Sequence, residues 1–201
     1  MSQNKHLCLC GSGKRTKVCC GRPSRGSEPL SSKLKLEMRQ NAEALAEAGR
    51  DLDAAAILEE LASRSPGNPL IWNDLGVQYE AAGEIERAMA ALRRGYAADS
   101  SYPPTLFNLG KFTLDRYRHL KAREEQDAST LAEMLVEAIG FLNANLDRDP
   151  ENADCHYWMA LACALHGDEL LAEAHRVVAA RLRQGAKALP VGRRDAPRSL
   201  R

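Results

Sequence analysis

Residues 68–99 read NPLIWNDLGVQYEAAGEIERAMAALRRGYAAD, and the spacing within that stretch decides the fold. Trp72, Leu75, Gly76 and Tyr79 stand at i, i+3, i+4 and i+7, so they share one face of an α-helix. Gly83 breaks the pattern, and Ala88 with Leu92 resumes it on a second helix. The small residues Gly76 and Ala88 let the paired helices approach closely, and the larger side chains fill the space around them.

The pattern recurs. Counting 34 residues back from Pro69 gives a unit at 35–68, where Ala42, Leu45, Gly49, Ala54, Leu58, Leu61 and Pro66 fall at equivalent positions, although Met38 replaces the tryptophan and Asn41 the leucine. Counting forward, Pro103, Leu106, Leu109 and Gly110 restart it, but the closing residues Ala138, Leu142 and Pro150 arrive 16 residues late. The extra residues, 115–130, either lengthen both helices or join them by a longer loop, with Ser129 or Asp127 as N-cap. A fourth unit, 153–186, keeps Ala160, Gly167 and Ala172 in phase but places Arg176 at a position usually apolar. That departure suits a capping repeat whose outer helix meets water.

W-x2-L-G-x2-Y at a 34-residue period resembles the tetratricopeptide repeat (TPR). The expectation is therefore an all-α, TPR-like solenoid of about four helical hairpins: 35–68, 69–102, 103–152 with its insertion, and 153–186. The resemblance implies that the first helix of each hairpin lines a concave surface that binds peptide segments or helices. The matching groove positions are Arg39 and Glu43, Asn73 and Val77, Phe107 and Lys111, and Tyr157 and Leu161. Phe107 and Tyr157 are either apolar anchors for a partner or packing residues. The Lys and Asn arrangement that clamps a C-terminal carboxylate in chaperone-binding members is not recognisable here.

Composition agrees with helices. Aromatic content is 5%, alanine and leucine abound between residues 36 and 186, and β-branched runs are scarce. No segment approaches the roughly 18 uninterrupted apolar residues of a membrane span, and MSQNKHLCLC lacks the apolar core of a signal peptide, so the expectation is a cytoplasmic protein. The formal net charge of +1 hides an uneven distribution. Residues 1–35 hold eight Lys or Arg against one acid, residues 190–201 four against one, and the middle sixteen against twenty-five. Basic ends either seek an acidic partner, protein or nucleic acid, or simply keep the tails solvated.

Four of the six cysteines lie in CLCGSGKRTKVCCGR, residues 8–22. A phosphate loop would need glycine in place of Cys8 and a hydroxyl in place of Arg15, and a reducing compartment disfavours a disulfide staple. A metal explains more. On an extended segment Cys8 and Cys10 leave the same face, and a turn near Val18–Gly21 would let the adjacent Cys19 and Cys20 reach the same ion. Gly11 and Gly13 allow backbone amides to approach the sulfurs, and Lys14, Arg15 and Lys17 offset thiolate charge. With so little apolar content the head must draw its folding free energy from metal, on the order of 10 kcal/mol for structural zinc peptides. Four protein ligands leave no open position, which argues for a structural ion: Zn2+, with iron as the alternative.

The pattern C-x-C-G-S-G-K-x-x-K-x-C-C-G resembles the SEC-C motif, the short zinc-binding tail of the preprotein translocase ATPase SecA, with Cys20 where SecA usually has histidine. The resemblance implies metal ligation by Cys8, Cys10, Cys19 and Cys20. It further implies a basic docking surface at Lys14, Arg15, Lys17 and Arg22 for an acidic SecB-like chaperone or the ribosome. The translocase motor is absent. Residues 1–22 thus form the expected head, 23–34 a flexible linker rich in Pro, Ser and Gly, and 187–201 a disordered basic tail.

Other chemistry-bearing residues read as structural. Cys155 and Cys163, eight positions apart, are expected in the core, and His119 and His175 on the surface. Acid pairs such as Glu59 with Glu60, or Glu124 with Glu125, point apart on helices, and no nucleophile has a plausible base. The sequence therefore favours a non-catalytic protein–protein interaction adaptor, its head on one partner and its groove on another. Two alternatives stand beside it. One is a nucleic-acid-binding zinc knuckle using Lys14, Arg15, Lys17, Arg22 and Arg25, although the head has no aromatic residue to stack a base. The other is a thiol-based metal or redox sensor.

Overall fold

A computed structural model of the chain describes residues 30–188. These residues form α1 (Ser32–Glu47), α2 (Asp51–Arg64), α3 (Pro69–Ala81), α4 (Ile85–Ala98), α5 (Pro103–Ala122), α6 (Ala128–Leu146), α7 (Ala153–His166) and α8 (Glu169–Ala188). Sequential helices pair as four hairpins, α1·α2, α3·α4, α5·α6 and α7·α8, and each hairpin packs on the next through α2·α3, α4·α5 and α6·α7. The fold is the all-α, TPR-like solenoid of four hairpins that the 34-residue period predicts.

The layers follow from which helices meet. First helices pack closely on one another, α3 with α5 and α5 with α7, whereas second helices meet chiefly through long side chains, Arg87 with Glu59, Arg93 with Glu137 and Tyr96 with Phe141. The first helices therefore form the crowded inner layer, and α2, α4, α6 and α8 fan apart outside it. Two apolar clusters fill the stack. One joins Leu58, Leu61, Trp72, Leu75, Tyr79 and Leu92 to Leu109 and Phe112; the other gathers Leu114, Tyr117, Leu135, Leu142, Cys155 and Met159. Fully burying each such side chain contributes about 1.5–3 kcal/mol.

Close approach within a hairpin depends on glycine at the contact. A Cβ added at Gly76 would lie 2.7 Å from Leu92 Cγ, and one at Gly110 2.7 Å from Leu142 Cγ. The same knob enters the same hole in two hairpins, which explains why the period survives the insertion.

All four hairpin turns end in one geometry. Arg50 N–H donates to Leu45 O, Glu84 to Tyr79 O, Glu125 to Leu120 O and Asp168 to Cys163 O, each across a residue in the left-handed region. Three of those residues are Gly49, Gly83 and Gly167, with φ of 71°, 78° and 95°; the third hairpin uses Glu124, at 55°.

Boundaries differ from the sequence reading in two places, at Ser32 and at Ala188, and the structure decides between the alternatives for the insertion. The linker expected over 23–34 gives way to helix at Ser32, because the Ser31 hydroxyl accepts the Leu34 amide at 3.2 Å and caps α1. The insertion lengthens both helices of the third hairpin, to 20 and 19 residues against 13 and 14 in the second, and of the two N-cap candidates Asp127 serves, accepting from Thr130 N at 2.9 Å. Helix α8 continues through Ala188, past the expected tail boundary at 187.

The fourth hairpin also departs from a polar cap. Arg176 is exposed and bridges Glu169 and Glu173, both at 3.0 Å, yet Leu170 is 89% exposed and Val177 58%. Polar and apolar stripes run side by side along the outer helix, so one polar residue did not reveal the second stripe.

Candidate functional site

The inner layer carries the expected groove positions, and much of its polarity is tied up between hairpins. Arg39 on α1 donates through Nε and Nη2 to Asp74 Oδ2 on α3, at 3.2 and 3.0 Å. Burial pushes the Asp74 carboxyl above its usual pKa, and the Arg39 charge opposes that rise without cancelling it. Asn73 is buried and accepts from Asn108 on α5 at 2.9 Å. Lys111 on α5 lies 3.6 Å from Glu80 on α3 and 4.9 Å over the Phe112 ring. These contacts form a ladder that fixes one hairpin against the next. Val77 and Leu161 are half-buried, and Phe107 packs against the second apolar cluster.

Two groove positions stay open. Glu43 is exposed, and Tyr157 is 49% exposed with the Arg183 guanidinium 5.3 Å from its ring centroid. The structure thus brings the eight positions onto one layer, with Glu43 and Tyr157 exposed toward its two ends and the other six buried or half-buried.

A second concavity lies on the outer layer, where the sequence reading placed nothing. Between α2 and α4 a cleft of about 370 Å³ is floored by Trp72, Leu75 and Tyr79 of α3. Arg94 stands 5.1 Å over the Trp72 ring and Arg87 4.1 Å over Tyr79. The Tyr79 hydroxyl donates to Glu59 Oε1, and Arg87 Nη2 reaches the same carboxylate at 3.1 Å. Burial and the Glu59 charge push the Tyr79 phenol up to about 12. Arg87 and Arg94 on α4 match the seven-residue spacing of Tyr79 and Trp72 on α3, a match that shows only once the two helices are docked.

Two thiols and His175 in the fourth hairpin favour their uncharged forms. Cys155 and Cys163 are buried as expected, and burial pushes the Cys155 thiol up to about 12 and Cys163 upward. Such thiols are protonated at neutral pH and make poor nucleophiles. His175, expected on the surface, instead meets His156 with Nδ1 to Nδ1 at 2.8 Å. His156 Nε2 donates to the Pro150 carbonyl at 3.0 Å, since a carbonyl only accepts, and the two facing Nδ1 atoms share one hydrogen bond. The misplacement is explained by the repeat: His156 sits where Trp72 does, a position turned toward the second helix. His119 is exposed, as expected.

Among the described residues no three His, Cys, Asp or Glu side chains are grouped to hold a metal ion, and no helix is long and apolar enough to cross a membrane. The expected ligands Cys8, Cys10, Cys19 and Cys20, and the basic residues Lys14, Arg15, Lys17 and Arg22, lie outside the described residues.

Stacked hairpins with a polar ladder on the inner layer define the class, a TPR-like helical scaffold. No family model matches the chain, and no curated protein matches it. Among solved structures it is similar to MamA: one crystal structure at TM-score 0.58 and 16% identity covers 77% of this chain and 81% of that one, and a second at 0.59 and 15% covers 79% of each. It is also similar to a monomeric mutant of IFIT1 solved with Gppp-AAAA, at TM-score 0.57 and 16% identity over 75% of this chain, which spans 32% of that one. At these identities the likeness shows the fold.

Proposed function

We propose that the chain is a non-catalytic protein–protein interaction adaptor of the cytoplasm: a metal-folded head engages one partner and the helical body a second. The observation that carries the reading is the inner layer itself, α3, α5 and α7 in contact and α1 tied to α3 by Arg39 and Asp74, with Glu43 exposed toward one end and Tyr157 toward the other. A rigid stack with fixed inter-hairpin contacts presents such a face without ordering it anew for each ligand. The TPR-like fold of the neighbouring structures supports an interaction role for the body.

For the head the support is chemical. Cys8, Cys10, Cys19 and Cys20 supply a four-thiolate donor set that suits tetrahedral zinc, and iron would accept it too. Lys14, Arg15, Lys17 and Arg22 would then dock an acidic surface, a SecB-like chaperone or a ribosomal site. Tethering both binding elements raises the effective concentration of one near the ligand of the other.

Quantitative affinity capture from cell extract tests this with three baits: the intact chain, Cys19→Ser/Cys20→Ser, and Glu43→Lys/Tyr157→Ala. The head variant is expected to lose one set of partners and the groove variant a different set. Loss of the same proteins from both baits contradicts two separate sites. Capture that depends on nucleic acid, falls steeply with salt and survives removal of the helical body points to the nucleic-acid reading instead.

A further inference from the structure

Every second helix but one is covered on its outer flank. Helix α2 packs on α3, α4 on α5 and α6 on α7, while α8 packs on α7 and on no other helix among the described residues. The flank this leaves open is not polar. Leu170 and Val177 lie seven residues apart with Ala174 between them, and Leu171 and Val178 repeat the interval alongside; all four large residues are at least 36% exposed. The core contacts, Ala172 and Ala179, lie on the opposite side. Leu170, Ala174 and Val177 thus trace a stripe with the 4-3 spacing of a helix-pairing seam.

Charge along α8 is polarised. Its first half carries Glu169 and Glu173, which share the single Arg176. In its second half Arg183 is paired with Asp154 of α7, and Arg181 has no ion-pair partner among the described residues. An acidic first half and a basic second half attract a copy of the same helix running the other way.

We propose that α8 is a homodimer interface in which the helices of two copies pair antiparallel. In the register centred between Ala174 and Val177, each Val177 lies over the other copy's Ala174, large against small. Each Arg181 extends along the other copy's Leu170 toward Glu169 and Glu173, its aliphatic stem covering the leucine. The contact is isologous, so it closes at two copies. A single helix pair is at the small end of interface sizes, and the dimer dissociates on dilution.

Sedimentation velocity on the full zinc-supplemented chain, kept reduced so that its thiols cannot cross-link, reads the equilibrium up to about 200 µM. The wild type is expected to shift from monomer to dimer across the series. Val177→Glu, at an exposed position, should keep the far-UV spectrum and remain monomeric. Arg181→Glu should weaken association about tenfold, since each lost pair counts twice by symmetry, and Glu173→Arg/Arg181→Glu should recover most of that loss. A wild type that stays monomeric overturns the proposal. So does a dimer indifferent to Val177→Glu, or a monomer that dimerises only when residues 189–201 are removed, because the tail then covers the stripe.

Discussion

Replacing Gly76 with alanine tests the packing rule that sets the period. The added Cβ would lie 2.7 Å from Leu92 Cγ, 2.8 Å from Leu92 Cδ2 and 3.3 Å from the Ala88 carbonyl oxygen. Carbon pairs are most stable at about 3.5–4.0 Å, so the helices or Leu92 must yield by roughly 1 Å. Leu92 is fully buried, and the shift is transmitted to both helices of the hairpin. Overpacking of this kind destabilises by about 1–3 kcal/mol. Alanine's greater helix propensity returns about 1 kcal/mol. Gly140→Ala on α6 isolates the second effect, because nothing lies within 4 Å of its added Cβ. Urea unfolding followed by far-UV circular dichroism should therefore place Gly76→Ala about 1–3 kcal/mol below Gly140→Ala, with unchanged m-values. In a Leu92→Ala background the Gly76→Ala penalty should vanish. A Gly76→Ala protein as stable as Gly140→Ala, or a penalty that persists without Leu92, would refute the close-approach argument.

Further outcomes follow from the turns and the titratable groups. Glu124→Gly relieves a side chain held in the left-handed region and should stabilise the protein by about 1 kcal/mol in the same urea assay. Folded Cys155 and Tyr79 hold their protons to about 12, against 9.0 and 10.0 ordinarily, so the unfolded chain releases them first and stability falls as pH rises above about 9. The Cys155 share of that fall is about 2 kcal/mol by roughly pH 10.5, and Cys155→Ala should flatten the profile. Burial, then the neighbouring His156, lowers the pKa of His175 below 6.5, so the unfolded chain takes the proton first. Stability is then lost as pH falls from 6.5 through the lowered folded value, and His175→Gln should remove that slope from urea midpoints measured down to about pH 5.

What the sequence revealed was what repeats. Trp72, Leu75, Gly76 and Tyr79 fixed α3 because helical spacing and close packing constrain side-chain size directly. Gly110 with Leu142 carried the same contact across the insertion. Features that depend on a partner element were hidden. Glu124 occupies a glycine's turn, which the hydrogen bond from Glu125 N to Leu120 O closes as in the other three hairpins. His156 and His175 are 19 residues apart and face each other only when α7 and α8 dock. Arg39, Asn73 and Lys111 read as ligand contacts until their neighbours Asp74, Asn108 and Glu80 are placed beside them. The outer cleft needs Arg87 and Arg94 over rings supplied by another helix.

Under the proposed function a bound ion folds the thiol-rich head, while apolar burial folds the helical body. A nitrogen–proton correlation spectrum of the intact, reduced, zinc-loaded chain, recorded before and after a chelator is added, tests this division most directly. The expected result is one zinc released per chain and collapse of the amide signals from residues 8–22, with those from 32–188 unmoved. Head signals already collapsed before chelation with no metal bound, or a body that unfolds with the head, would contradict it.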